Sequence, residues 1–269
     1  LFYLHERRTY RVVNNQARQG IRSRVVPRID RKSLGDSILS QTAIPWIRSR
    51  NVGYKVARMK PNTRFHAFFD NVNVSTYLTP KIIELVKDSS ADPTTNETPY
   101  VVGEVVVGQT SGCRLLVALP NDGGQFNPYT GTETLLPESY ASQTDILNID
   151  ISAMAETKNP DYYGNIQVGE ILLGQTSGAR AVVKDRKIIS NNVGEAAGTL
   201  FIPNPGEDAN PRFATGTRTL RFTTNEENSK LPGTVDSSAE TTYEARGTLQ
   251  TVRENILAVR NAEIVRDTV

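Results

Sequence analysis

Residues 102–117 read VGEVVVGQTSGCRLLV, and residues 168–183 read VGEILLGQTSGARAVV. Ten of the sixteen paired positions are identical, at an offset of 66 residues. In each copy a run of β-branched and aliphatic residues enters QTSG and a second run leaves it, the pattern of two strands joined by a short glycine-containing loop. Gly108 with Gly112, and Gly174 with Gly178, can supply the backbone conformations that such a loop demands. Thr110, Ser111, Thr176 and Ser177 can satisfy loop amides with their hydroxyls. A polar loop bracketed by glycines can also cradle a ligand. GQTSG, however, lacks the lysine of a phosphate-binding loop, and nothing after it suggests a helix. The repeat therefore predicts two β-hairpins, each followed by a related turn and strand, TGTETL (130–135) and TGTRTL (215–220).

Outward from the repeat, the same texture continues. YVVGEVVVG, GTLFIP and RTLRFTT are short and rich in β-branched residues, and they are punctuated by DGG, NPYTG, NNVG, NPG and ATG, which are turn chemistry. One segment reads as a short amphipathic helix or turn: TPKIIELVKDS (79–89), with Thr79 as N-cap before Pro80. The C-terminal GTLQTVRENILAVRNAEIV carries Leu249, Val252, Ile256 and Val259 at helical spacing, but Val252, Ile256 and Ala258 also fit alternation, and an extended strand is expected. The expected fold is all-β: a multi-module, β-sandwich-like architecture with repeated hairpins and an extended basic N-terminal arm. The expected modules are an arm over 1–40, a fibronectin-like module over 41–97, hairpin modules over 98–157 and 158–228, and an extended segment over 229–269.

Chemistry is sparse. Cys113 is the only cysteine, so no intrachain disulfide and no cysteine cluster for a metal is available. The two histidines, His5 and His66, lie in different contexts, and no G-x-S-x-G nucleophile elbow occurs. Carboxylates are scattered over loops such as NEEN (225–228) and GED (206–208), where a solvated turn is the better reading than a calcium loop. No catalytic residue, no metal ligand and no cofactor is expected, and the chain does not read as an enzyme. No apolar run approaches the length of a membrane span, and no signal peptide is visible. The chain opens on Leu1, and residues upstream of it are expected.

The net charge of +2 hides an asymmetry. Residues 1–60 hold 14 Lys/Arg against three acidic residues, a net of +11, and residues 61–269 hold 17 against 26, a net of −9. A basic arm poor in apolar clusters cannot form its own core and takes its order from contacts elsewhere. Arg7, Arg11, Arg18, Arg22, Arg24 and Arg28 are the candidate assembly-interface residues, expected to face carboxylates of another chain. Nucleic acid is the lesser expectation, because the aromatic residues that stack on single strands are confined to Phe2, Tyr3 and Tyr10.

MKPNTRF (59–65) resembles the L-x-P-x-T-x-Y corner of fibronectin-like sandwiches, with Met59 in place of leucine and Phe65 in place of tyrosine. A wider string of motifs carries a second resemblance. GDSILSQTAIPWIRSRNVGYKVARMKPNTRFHAFFDNVNV is similar to a segment of virion structural proteins from large tailed phages, notably those infecting cyanobacteria. GQTSGARAVV, GTLFIPNP, RFATGTRTLRFTT and SSAETTYEARGTLQTVRENILAVRNA follow in the same order, so that the resemblance covers roughly residues 35–266. Where those proteins carry FFDG this chain has Phe68-Phe69-Asp70-Asn71, and asparagine also accepts a left-handed turn conformation. The resemblance implies a non-enzymatic component of a phage particle (tail, baseplate or tail fibre), made in the bacterial host. Its expected partners are other virion proteins and further copies of itself, with no membrane insertion. The alternatives are a receptor- or glycan-binding fibre module, for which Tyr162 and Tyr163 beside Asp161 would be the aromatic platform, and a head or neck protein whose arm contacts DNA.

Overall fold

The computed structural model describes residues 21–88, 98–122, 125–131, 133–142, 144–155 and 161–268. In chain order the strands are β1 (Ile21–Ala43), β2 (Arg50–Val56), β3 (Arg64–Phe69), β4 (Val72–Asn73), β5 (Leu78–Pro80) and β6 (Ile82–Lys87). Next come β7 (Val105–Gly108), β8 (Arg114–Leu116), β9 (Ile146–Asn148), β10 (Ile171–Gly174), β11 (Arg180–Asp185) and β12 (Ile188–Ile189). The last are β13 (Ala196–Ile202), β14 (Gly216–Thr223), β15 (Ser238–Ala245) and β16 (Thr248–Thr268). One α-helix, α1 (Ile151–Ala155), and one 3-10 turn (Ser75–Tyr77) complete the described regular structure, and the chain is all-β. It forms two compact units: the two ends of the chain, and a body spanning Ala43–Thr248.

Within the body, two sheets share one core. The first has the order β2-β13-β5, and the second has the order β12-β3-β14-β15, with β4 paired to β3. Phe65, Phe69, Leu78, Leu200, Ile202, Leu220 and Phe222 fill the space between them. Alternation on β14 and β3 places these side chains on one face, and Phe69 meets Phe213 edge-on at 4.8 Å. At MKPNT the chain leaves β2 in one sheet and enters β3 in the other. Arg58 (φ 61) and Asn62 (φ 49) take left-handed backbone there. No tyrosine hydroxyl is available at position 65; instead the Ser190 hydroxyl donates to the Lys60 carbonyl at 2.6 Å and accepts from the Thr63 amide at 3.1 Å. Asp70 (φ 50) and Asn71 (φ 66) form the left-handed pair that reverses β3 into β4, the two-residue hairpin geometry that suits asparagine.

The other half of the body is a six-stranded sheet in the order β8-β7-β10-β11-β6-β9. Its end strands meet: Val117 bridges Ile149, the Ala118 amide donates to the Asn148 carbonyl and the Asp150 amide to the Leu116 carbonyl, both at 2.9 Å. The sheet thus closes into a small barrel around Ile83, Leu85, Val106, Leu115, Leu147 and Leu172. In chain order the barrel strands, β6 to β11, lie between β5 and β12 of the two-sheet half. Asn51 on β2 ties the halves together: its side-chain amide donates to the Gly164 carbonyl and accepts from the Gly164 amide, each at 2.8 Å.

Two expectations are corrected here. TPKIIELVKDS is not a helix; it supplies β5 and β6. Ile83 and Leu85 alternate into the barrel core while β6 bonds to β11 on one side and β9 on the other, and that pairing outweighs a weak local helical pattern. The hairpins also do not form separate modules over 98–157 and 158–228. They stand side by side in one sheet, β10 paired antiparallel to β7 with Leu173 opposite Val107, because each buries its apolar face only when the barrel is complete. The C-terminal segment is extended as expected, with β15 in the body and β16 pairing β1.

Candidate assembly interface

The GQTSG loops are the tips of the two hairpins, with Thr110 and Thr176 exposed and Ser111 and Ser177 half-buried. Each tip is closed by the other repeat. Glu104 of the first repeat accepts from the Thr176 amide (3.0 Å) and the Ser177 amide (2.9 Å), and the Ser177 hydroxyl donates to it at 2.8 Å. Glu170 of the second accepts from the Thr110 amide (3.3 Å), the Ser111 amide (3.0 Å) and the Ser111 hydroxyl (2.8 Å). Each serine oxygen in turn accepts the amide two residues on, from Cys113 at 3.1 Å and Ala179 at 3.0 Å. Both carboxylates are buried, and the bonds they accept offset their desolvation. The inward-facing groups of the loops are therefore spent on holding the barrel. The role of the two serine hydroxyls was legible in the sequence and the glutamates were missed, although both lie inside the repeated sixteen residues.

Among the described residues of the body lies a cleft of about 970 Å³, with Tyr54, Phe126 and Tyr129 in its wall. Its charged side chains are engaged: Lys81 with Asp122 at 3.2 Å, Lys55 with Glu195 at 3.9 Å, and Asp150 capping the Ser152 and Ala153 amides of α1. The Tyr54 hydroxyl is buried without a hydrogen-bond partner among the described residues, and burial pushes its pKa up. His66 lies half-buried on β3 opposite Thr223; burial first, then the nearby Arg64, lowers its pKa, with Glu226 opposing. Cys113 is buried in the barrel, and that burial raises its thiol to about 12. The NEEN and GED loops are organised by Asn225 and Asn204, whose side-chain oxygens accept the amides of Glu227 (2.9 Å) and Gly206 (3.0 Å). Among the described residues no group of three or more His, Cys, Asp or Glu is placed to hold a metal ion. Tyr162 packs partly against the barrel core and Tyr163 is exposed, so the two do not form a common platform.

The second unit is a two-stranded ribbon of β1 (23 residues) and β16 (21 residues). The Ser37 hydroxyl donates to the Arg253 carbonyl at 3.4 Å, which sets the last third of one strand against the first third of the other. A lone two-stranded ribbon in water is marginal. This one also exposes Val25, Ile29, Leu34, Ile38 and Leu39 on β1, and Leu249, Val252, Ile256, Leu257, Val259 and Ile264 on β16, each between 43% and 69% accessible. Eleven large apolar side chains are thus exposed on one thin element, a patch of the kind found on interaction surfaces.

Of the candidate interface arginines, Arg7, Arg11 and Arg18 lie outside the described residues. Arg22, Arg24 and Arg28 fall on β1, the last two exposed. Arg28 pairs with Asp30 of its own strand at 2.7 Å, an exposed pair worth little to stability. The sequence pointed to the basic residues of this region and missed the apolar ones between them. No helix among the described residues is long and apolar enough to cross a membrane. No protein-family model, no curated protein and no solved structure matches the chain.

Proposed function

We propose that this chain is a non-enzymatic structural component of a tailed-phage particle, of its tail, baseplate or tail fibre, and that the ribbon is the element by which it docks. The observation that carries the proposal is the ribbon: two long strands with apolar side chains exposed along both, in a chain whose hairpin tips are locked internally. Such an element gains its order from neighbours, as structural proteins of large assemblies require. The motif string over residues 35–266 supplies the kind of assembly, and the basic arm adds charge attraction to acidic neighbours.

The test is incorporation. Full-length protein with Arg22, Arg24 and Arg28 changed to Glu should be excluded from particles while its body unfolds at the wild-type temperature. Normal incorporation would remove the docking role of these residues. A second reading, a glycan-binding fibre module, is favoured by the cleft that holds Phe126 and Tyr129 beside the unpartnered Tyr54 hydroxyl, since ligand pockets combine apolar walls with a few polar groups. Chemical-shift changes at these residues on adding host-surface oligosaccharide would support it.

A further inference from the structure

The ribbon has two unlike halves. Its outer part, 21–32 with 260–268, holds Arg22, Arg24, Arg28, Arg31, Lys32, Arg260 and Arg266 against Asp30, Glu263 and Asp267, a net of +4. The part that adjoins the body along the chain, 33–43 with 248–259, holds only Asp36, Glu254 and Arg253, yet carries eight of the eleven exposed apolar residues. Like charge would drive copies apart in the outer part and does not in the inner one.

Neighbouring residues of a strand point to opposite faces. Ile38 and Leu39 are adjacent and both exposed, as are Ile256 and Leu257, so each face of the inner half is apolar. Arg253 and Glu254 are also adjacent, which sets a positive charge on one face and a negative charge on the other. On β16 Arg253 shares its face with Leu257, and Glu254 shares the opposite face with Ile256. Stacking one face of a ribbon on the opposite face of the next would bring apolar side chains together and Arg253 against Glu254.

Size decides how many neighbours are needed. Eleven residues of strand span roughly 36 Å and two strands are about 10 Å wide, giving a face of about 360 Å². One face-to-face contact then buries about 700 Å² in total, short of the roughly 1,200 Å² of a stable specific interface. A ribbon covered on both faces makes two such contacts, about 1,400 Å² in all, so that a closed ring holds each copy at two places.

We infer that the inner half of the ribbon is a homo-oligomerisation element in which each copy stacks unlike faces with two neighbouring copies of this chain, in assemblies larger than a dimer. This rests on the docking role proposed above and names the partner. Contacts between unlike faces close into rings when the rotation permits, and the basic outer half stays available to acidic partners.

Sedimentation equilibrium of the full chain and its variants tests this separately from incorporation into particles. Wild-type protein should exceed a dimer at micromolar concentration. Arg253→Glu alone sets glutamate against Glu254, and Glu254→Arg alone sets arginine against Arg253, so each should shift the protein towards monomer. The double swap, Arg253→Glu with Glu254→Arg, sets arginine against glutamate again at each contact, with Asp36 unchanged, and should restore the wild-type mass. Far-ultraviolet circular dichroism should be unchanged throughout, since both positions are exposed. A wild-type chain that is monomeric or dimeric, or a double swap as dissociated as the singles, would overturn the inference. Monomeric protein that still enters particles would overturn self-association while leaving docking to another virion protein intact.

Discussion

Replacing Glu170 with alanine removes the acceptor for the Ser111 amide (3.0 Å), the Ser111 hydroxyl (2.8 Å), the Thr110 amide (3.3 Å) and the Gln167 amide (2.5 Å). A hydrogen bond to a charged group contributes about 1.5–3 kcal/mol net, and a buried donor left without a partner costs a similar amount. The four bonds do not simply add. The Thr110 amide is long-bonded and sits at an exposed tip where water can replace the carboxylate, and the variant is spared the several kcal/mol needed to desolvate that carboxylate. A loss of about 3 kcal/mol remains, carried mainly by Ser111 and Gln167. Glu170→Gln keeps one acceptor but turns an NH2 group towards amide donors, and should lose about 2 kcal/mol.

The same set of bonds recurs around Glu104, so Glu104→Ala should match Glu170→Ala to within about 1 kcal/mol. The two tips stand on adjacent strands, β7 and β10, and their losses should be coupled, with the double variant departing from additivity by about 1 kcal/mol. Gly108→Ala probes the site from the other side, since its added carbon would lie 2.5 Å from both Glu170 Oε2 and Ser111 Oγ and 2.8 Å from Cys113 Sγ. Urea unfolding of the full chain, followed by circular dichroism and fitted with a common m-value, reads all of these. A Glu170→Ala protein within about 0.5 kcal/mol of wild type, the range of ordinary surface changes, would refute the claim that the repeats lock each other.

Phe69→Ala should destabilise the body by roughly 3–5 kcal/mol, because Phe69 is 1% exposed and meets Phe213 in the two-sheet core; a loss under 1 kcal/mol would place it outside that core. Cys113 should resist a thiol reagent in the native protein at pH 8 and react on unfolding, its thiol being buried and raised to about 12; stoichiometric native labelling would contradict the barrel closure. His66 should titrate below the ordinary 6.5 by NMR. The neutral ring is the form the fold favours, so its contribution is complete above the unfolded pKa and is lost as pH falls from there through the folded one. A His66 titration above 6.5 would reverse that sign.

Much of the two-sheet half was legible because its signals are local. MKPNT and FFDN name their own turns, since proline and asparagine reveal the backbone angles they accept. RFHAFF alternates in a way that fixes which phenylalanines face inward. The barrel was harder to read. Its closure depends on Val117 finding Ile149 and on β6 finding β9, pairings between segments far apart in sequence that no short-range pattern encodes. Lacking those partners, KIIELVK read as half a helix. The repeat was correctly recognised as two hairpins, but the relation between them was hidden, because a glutamate that serves the other copy looks in sequence like a solvated turn residue.

The ribbon shows a different limit. Its basic residues stood out as composition, and composition speaks about partners and association rather than about fold. Its exposed apolar residues are spread through β1 and β16 singly or in adjacent pairs, so no window of either strand looks like a core. They become a surface only once the two ends of the chain lie side by side, with Ser37 against Arg253. The same pairing explains why neither end can be judged alone: β1 without β16 is a charged arm, whereas the pair is an apolar blade with a basic outer half. If the ribbon docks as proposed, most of its stability lies in contacts that a single chain does not contain. Truncating β16 should therefore change assembly more than it changes the unfolding of Ala43–Thr248, whose cores are complete without it. Equal effects on both would mean that the ribbon supports the body, and the docking role would have to be abandoned.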